Sequence, residues 1–298
     1  MNPGDEVIIP TPCWVSYPEI VRIVGGVPVL VQGDVKKGFV TEAEDLAPYV
    51  TERTKALILN SPNNPNGCIW NREQLAGIAK LAVEKGFYVV SDEIYEKLIY
   101  DGEEHVSIAS LDEDIFRQTI VINGVSKTYA MTGWRIGYLL APEAVIEQTG
   151  KIAELMHSSV NSLAQYAGVA ALAGPQDNVA AMREEYRAKR QIVLDGLAGC
   201  PVLRLIEPQG AFYAFVDVRL TGLDSGEFAD RLLDEERVAV VPGEAFGEEG
   251  RGFVRLSYAG DADELREGVA RLRAFAERVW NPITGHHTAT YHPMEVLA

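Results

Sequence analysis

Residues 119–138 read Thr-Ile-Val-Ile-Asn-Gly-Val-Ser-Lys-Thr-Tyr-Ala-Met-Thr-Gly-Trp-Arg-Ile-Gly-Tyr, and the rest of the chain is best understood from them. Residues 119–122 are a short, β-branched apolar run stopped by Asn123 and Gly124, the pattern of a buried strand. Ser126 and Lys127 follow at its end, and Arg135 stands eight residues past the lysine. A lone lysine in a loop is usually a solvated charge, so the neighbouring segments must decide its meaning.

Working outward, the same design recurs upstream. Residues 6–9, 27–31, 56–59 and 87–90 are apolar runs too short for helices and bounded by Gly, Pro or Asn. Between them, 16–24 and 72–85 carry apolar residues at helical spacing. Leu75, Ile78, Ala79, Ala82 and Val83 form one stripe of the second, and Gly86 stops it. Strand–helix–strand order predicts an α/β fold with a mostly parallel sheet covered on both faces. In such sheets ligands bind beyond the carboxyl ends of the strands, so those loops should hold the chemistry.

Beyond residue 150 the character shifts. Residues 163–173 and 178–197 are helical, the second strongly charged through Glu184, Glu185, Arg187, Lys189 and Arg190. Strands at 211–216, 238–241 and 253–258, with helices at 226–235 and 263–279, make a smaller α+β unit. The expected division is a large domain over 1–183, a small C-terminal domain over 184–280, and a disordered tail over 281–298. His286, His287 and His292 lie in that tail.

With 27 Lys and Arg against 43 Asp and Glu, the net charge is −16, which repels phosphate backbones and anionic membranes. Nucleic acid and membrane are therefore not expected partners. No apolar run approaches the ~18–20 residues of a membrane span, and the start resembles no signal peptide. Cys13, Cys68 and Cys200 lie far apart, which fits a reducing cytoplasm and neither a disulfide framework nor a metal site.

Four strand-end loops stand out: 11–18 with Trp14, 60–67 with Asn64, 91–95 with Asp92 and Tyr95, and 124–138 with Ser126, Lys127 and Arg135. Each has a plain reading as rim aromatic, tight turn, helix cap or solvated charge. Together they suit one task. A pyridine ring needs a stacking partner (Trp14), a carboxylate at its nitrogen (Asp92) and donors at its phenolic oxygen (Asn64, Tyr95). Its aldehyde needs an amine (Lys127), and its phosphate needs a hydroxyl and a guanidinium (Ser126, Arg135).

The segments SPNNPNG, SDEIYE, SKTYAMTGWRIGY, PQGAFY and VRLSYA, in this order, resemble the class I/II pyridoxal-phosphate-dependent aminotransferases of fold type I. The prokaryotic aspartate aminotransferase subfamily is the most similar, over about residues 1–279. The resemblance implies that Lys127 holds the cofactor, pyridoxal 5′-phosphate, and shuttles the proton between the substrate Cα and C4′. It implies that Asp92 keeps the pyridine nitrogen protonated. Asn64 and Tyr95 then bond the phenolic oxygen, Trp14 stacks on the ring, and Arg135 with Ser126 takes the phosphate. Lys127, Asp92 and Tyr95 are the catalytic set so implied. Arg255 matches the arginine that grips the substrate α-carboxylate as a bidentate fork, with Asn64 and Trp14 beside it. Gly210 is read as a close approach of backbone to the cleft, and the peptide before Pro65 is expected to be cis.

Transfer of an amino group from aspartate to 2-oxoglutarate, by a homodimer, is what the resemblance implies. A β-lyase, a cyclase or a silent fragment stays open at this point. Relatives carry a segment before the point matching Met1, with a glycine-rich phosphate loop, a first sheet strand and a tyrosine donated to the neighbouring subunit. The expectation is that this chain alone binds cofactor weakly, and that residues 136–140 form an unpaired apolar sheet edge. Gly124 also stands where relatives often have a phosphate-binding serine.

Overall fold

A computed structural model describes residues 1–280. The tail expectation for 281–298, including His286, His287 and His292, lies outside the described residues. Strands β1 (Glu6–Thr11), β2 (Val27–Gln32), β3 (Thr54–Asn60), β4 (Tyr88–Asp92), β5 (Thr119–Gly124) and β6 (Gly137–Leu140) form one sheet, ordered β2-β1-β3-β4-β5-β6. The first five run parallel and β6 pairs antiparallel with β5. These strands run past their apolar runs because the ladder continues through polar residues: Asn60 at the end of β3 pairs with Asp92 at the end of β4. Those polar ends are what deliver side chains to the loops.

Helices α1 (Ser16–Ile23), α2 (Ala43–Leu46), α3 (Arg72–Lys85), α4 (Glu113–Phe116), α5 (Glu143–His157) and α6 (Ser162–Ala173) fall in this half of the chain, and α7 (Asp177–Leu197) follows them. The start of α3 is fixed by a capping box. The Gln74 N–H donates to the Asn71 side chain, and the Asn71 N–H donates to that of Gln74, both at 3.0 Å. Its end is fixed by Gly86 at φ 75. Between them Leu75, Ile78, Ala79 and Ala82 bury against Ile8, Leu57, Leu59 and Val89 on one sheet face. On the opposite face Val7 and Ile9 pack on Tyr17 and Val21 of α1. Complete burial of one such aliphatic side chain contributes about 1.5–3 kcal/mol, so a one-residue slip of β1 would exchange two packed faces and is strongly disfavoured.

The second half forms an antiparallel sheet of β7 (Arg204–Ile206), β8 (Tyr213–Asp217), β9 (Val241–Pro242) and β10 (Phe253–Ser257), ordered β7-β8-β10-β9. Helices α8 (Ser225–Glu236) and α9 (Ala262–Val279) join α7 over its core of Val216, Val254, Phe228, Leu272 and Phe275. Helix α7 runs unbroken through 183 and 184, where the division between the two units is expected. The strand expected at 238–241 is instead the two-residue β9, which meets β10 only at Val241 and Pro242. Pro242 has no N–H to extend the ladder.

Strand β6 is the outer edge of its sheet, with Leu140 62% exposed. Helix α5 buries no residue, and Leu155, Met156, Leu163, Tyr166 and Val169 of α5 and α6 are all exposed. Among the described residues no helix is long and apolar enough to cross a membrane.

One expectation about the backbone is corrected. Among the described residues the cis peptides are Thr11–Pro12 and Ser61–Pro62, and the one before Pro65 is trans. The loop turns at Ser61–Pro62, before Asn64 is reached. Asn64 is then held by its own N–H, which donates to Asn60 Oδ1 at 2.9 Å.

Candidate active site

Asp92 closes β4. Its Oδ2 accepts from the Tyr17 hydroxyl at 2.6 Å and its Oδ1 from the Ile94 N–H at 3.1 Å. Burial nevertheless pushes its pKa up, outweighing those two hydrogen bonds. Among the described residues no ion pair reaches the carboxylate, and the positive charge that acts on it to lower its pKa is that of Lys127. On the reverse side of the strand end, Glu93 Oε1 accepts from Ser91 at 2.8 Å and Ser107 at 2.7 Å, and Oε2 meets His105 Nε2 at 2.9 Å. Desolvation alone would raise Glu93, but these partners hold its pKa down. They also clip the loop after Tyr100 to the strand end that carries Asp92.

Lys127 lies in the turn after β5 with its amine half-buried, Nζ 5.7 Å from the Phe212 ring centroid. Burial lowers its pKa first, then the positive charges of Arg135 and Arg255, while Asp92 opposes them. All three charged groups thus share the surroundings of the amine. Ser126 precedes it, half-buried. Arg135 is exposed in a left-handed conformation, φ 55, and its Nη1 donates to the Thr132 carbonyl at 2.9 Å.

Arg255 comes from the other sheet. Its Nη1 donates to Asn64 Oδ1 at 2.9 Å, and its guanidinium lies over the rings of Tyr213 at 4.5 Å and Phe246 at 4.8 Å. Its Nε is buried without an acceptor, and among the described residues no carboxylate pairs with it. A guanidinium so placed is short of an anion. Asn64 and Tyr95 are both buried, and the Tyr95 hydroxyl is 3.1 Å from that of Tyr213. Trp14, after β1, is 40% exposed and meets the Tyr17 ring edge-on at 5.3 Å.

Direct contacts therefore join Asn64 to Arg255 and Asp92 to the Tyr17 neighbour of Trp14, and the shifted Lys127 amine couples Asp92, Arg135 and Arg255. Four residues adjoin this group that sequence reasoning did not single out: Tyr17, Phe212, Tyr213 and Phe246. Tyr17 could have been found three residues after Trp14, in the first turn of α1; Tyr213 and Phe246 enter through residues remote in sequence, Arg255 for both and Tyr95 for Tyr213, which no local pattern reveals. Gly210 makes its close approach to Pro62 and Leu98. A Cβ there would lie 2.6 Å from Pro62 Cγ and 2.8 Å from the Leu98 carbonyl oxygen. Gly124 is likewise crowded, with a Cβ position 2.9 Å from the Ile136 carbonyl oxygen of the β5–β6 turn.

The family model for aminotransferase class I and II matches residues 1–272. This chain belongs to that family. Among the relatives of this aminotransferase, an aspartate aminotransferase of Geobacillus stearothermophilus is 46% identical over 282 residues, 93% of this chain and 71% of the relative. The aromatic aminotransferase of Pyrococcus horikoshii OT3 has a TM-score of 0.90 at 43% identity, covering 93% of this chain and 74% of that one. The aspartate aminotransferase of Thermus thermophilus with maleate has a TM-score of 0.87 at 43% identity, covering 92% and 71%. The fold is thus that of fold type I, and the activity of this aminotransferase is amino-group transfer on amino acids.

Proposed function

We propose that this aminotransferase uses pyridoxal phosphate to move the amino group of aspartate to 2-oxoglutarate. The observation that carries the reading is the half-buried Lys127 amine, its pKa depressed, in the same surroundings as Arg255, whose Nε has no acceptor. The donor set fits the cofactor on its own terms. Asp92 is a buried carboxylate whose pKa stays raised despite Tyr17, the Ile94 N–H and the charge of Lys127, and a pyridinium nitrogen would supply a closer positive partner. Tyr95 and Asn64 offer buried donors for a phenolic oxygen, and Ser126 and Arg135 a hydroxyl and a guanidinium for a phosphate.

When bound, pyridoxal phosphate supplies an electron-accepting ring for the pair released at the substrate Cα. Every other function belongs to the chain. Lys127 would hold the cofactor's aldehyde carbon and, once the substrate amine displaces it, would take the proton from the substrate Cα; its lowered pKa keeps more of the amine neutral and nucleophilic. Asp92 holds a proton on the ring nitrogen by its charge. Arg255 grips the substrate α-carboxylate with two parallel donors and so orients the Cα–H bond. Trp14 covers the ring. Aspartate is favoured by the motif likeness to the aspartate subfamily and by the relatives of that name.

The same reading divides the chain into a cofactor domain over 1–183 and a smaller domain over 184–280, which brings Arg255 to the cleft. It includes a homodimer, for which the exposed apolar residues of α5 and α6 offer a surface of the kind subunits cover. It includes the cytoplasm, where buried free Cys13, Cys68 and Cys200 stay reduced. The test is to mix the purified chain with pyridoxal phosphate, record the visible band, and follow amino transfer from aspartate to 2-oxoglutarate. A band and transfer that both vanish in Lys127→Ala are expected. A wild-type protein with neither even at saturating cofactor, as the expected weak binding requires, or a Lys127→Ala protein that keeps both, overturns the reading.

A further inference from the structure

The pair Tyr95 and Tyr213 holds more hydrogen-bonding capacity than the protein uses. Both rings are buried, and their hydroxyls meet at 3.1 Å with either able to donate. Two hydroxyls carry two hydrogens, and only one can lie in that contact. Among the described residues neither hydroxyl has another partner, so the second hydrogen is left for a ligand oxygen. Tyr213 is also one of the two rings under Arg255, 4.5 Å from the guanidinium carbon, in a site where Phe246 provides the other at 4.8 Å. A phenylalanine at 213 would give the same stacking. The hydroxyl must therefore serve the Tyr95 side.

We propose that Tyr213 is a positioning residue for the reaction, its hydroxyl donating to Tyr95 while its ring supports Arg255. Tyr95 is thereby left with its own hydrogen aimed at the cofactor phenolic oxygen, and made a stronger donor by the bond it accepts. One side chain, at the start of β8, then sets both the donor to the cofactor and the seat of the substrate-carboxylate arginine. Burial, Tyr213 and Asp92 all raise the Tyr95 pKa, so it remains a donor through the working pH range. This inference rests on the cofactor reading above.

The experiment is a pH titration of the visible band in protein loaded with pyridoxal phosphate, for wild type, Y213F, Y95F and Y95F/Y213F. A weaker donor leaves the phenolic oxygen's negative charge less stabilised, so the midpoint rises. Y213F is expected to raise it by ~0.5 pH unit, in the same direction as Y95F, as for loss of one modest hydrogen bond. In the Y95F background Y213F should add nothing. Y213L, which also removes the ring, should raise KM for the amino acid about 3- to 30-fold through the lost cation–π contact, while Y213F leaves KM near wild type. An unchanged Y213F midpoint, or equal shifts with and without Tyr95, overturns the inference alone. A wild-type protein that forms no band overturns the cofactor reading and this inference with it.

Discussion

The Arg255 guanidinium donates through Nη1 to Asn64 Oδ1 at 2.9 Å, joining β10 to the loop after β3 across 191 residues of sequence. The bond uses one of the five guanidinium hydrogens and leaves the buried Nε unused. A bidentate carboxylate would satisfy that Nε, and only arginine offers the planar fork. Arg255→Leu should therefore lower kcat/KM for aspartate by about 10²-fold or more, as for loss of two charge-assisted hydrogen bonds of ~1.5–3 kcal/mol each. Arg255→Lys should recover only a small part. Steady-state kinetics check this, and a leucine variant within a few-fold of wild type would remove Arg255 from the substrate site.

Lys127 should be the residue trapped when borohydride reduces the cofactor-loaded protein, with peptide mapping as the readout. Label on Lys97 or Lys151 would overturn the assignment. The depressed pKa adds a pH dependence. Only the neutral amine attacks an aldehyde, so the rate of cofactor uptake by stripped protein should climb with pH and level off below the ordinary lysine range. A rate still climbing like that of free lysine would contradict the environment described for this amine.

Much of this site was readable because its chemistry sits where an apolar strand stops. Asn60, Asp92 and Gly124 end their strands, and the side chains that follow them could be placed without knowing the fold in detail. Helix α3 was legible to the residue because its cap, apolar stripe and terminal Gly86 agree. Helix α5 was not read: it starts after Pro142 with no side-chain cap, and it buries no residue that could mark a core face. The trans peptide at Pro65 was missed because both Pro62 and Pro65 follow short polar residues, and only the tertiary fit of the loop separates them. Tyr213 stayed hidden because its value lies in touching Tyr95 and Arg255, residues remote in sequence.

Gly210 tests how tightly the cleft is built. Its N–H donates to the Gly67 carbonyl at 2.8 Å, and Ile99 pairs with it as an isolated bridge. Gly210→Ala forces the Pro62 ring or the Leu98 carbonyl to move. Overpacking of this kind costs ~1–3 kcal/mol, which in a protein this size lowers Tm by several degrees, about 2–4 °C per kcal/mol. Because Tyr213 follows three residues later, KM for the amino acid should rise as well. Calorimetry and kinetics together check it; an unchanged Tm would mean that the backbone relaxes freely here.

Asp92 should show that the site sacrifices stability for chemistry. Its folded pKa is raised from the ordinary 3.8 by burial, so the folded protein without cofactor binds a proton at this group more tightly than the unfolded chain does. Folded protein then holds more protons than unfolded across that window, and stability falls as pH rises through it. Above the window the whole loss is present, and it stays at neutral pH. Asp92→Asn removes the charge; its one amide oxygen keeps the Tyr17 bond at the expense of the longer one from the Ile94 N–H, so the gain is net of that loss. The cofactor-free variant should therefore melt at a higher temperature than wild type at pH 7, and the two should converge as the pH approaches 3.8. Adding pyridoxal phosphate should reverse the order, because only the carboxylate gains a pyridinium partner, and amino transfer by the variant should be nearly lost. Thermal melts of stripped and loaded protein across this pH range decide the matter. A wild type already more stable than Asp92→Asn at pH 7 without cofactor would mean that Tyr17 and the Ile94 N–H satisfy the carboxylate fully, leaving no electrostatic vacancy for a pyridinium to fill.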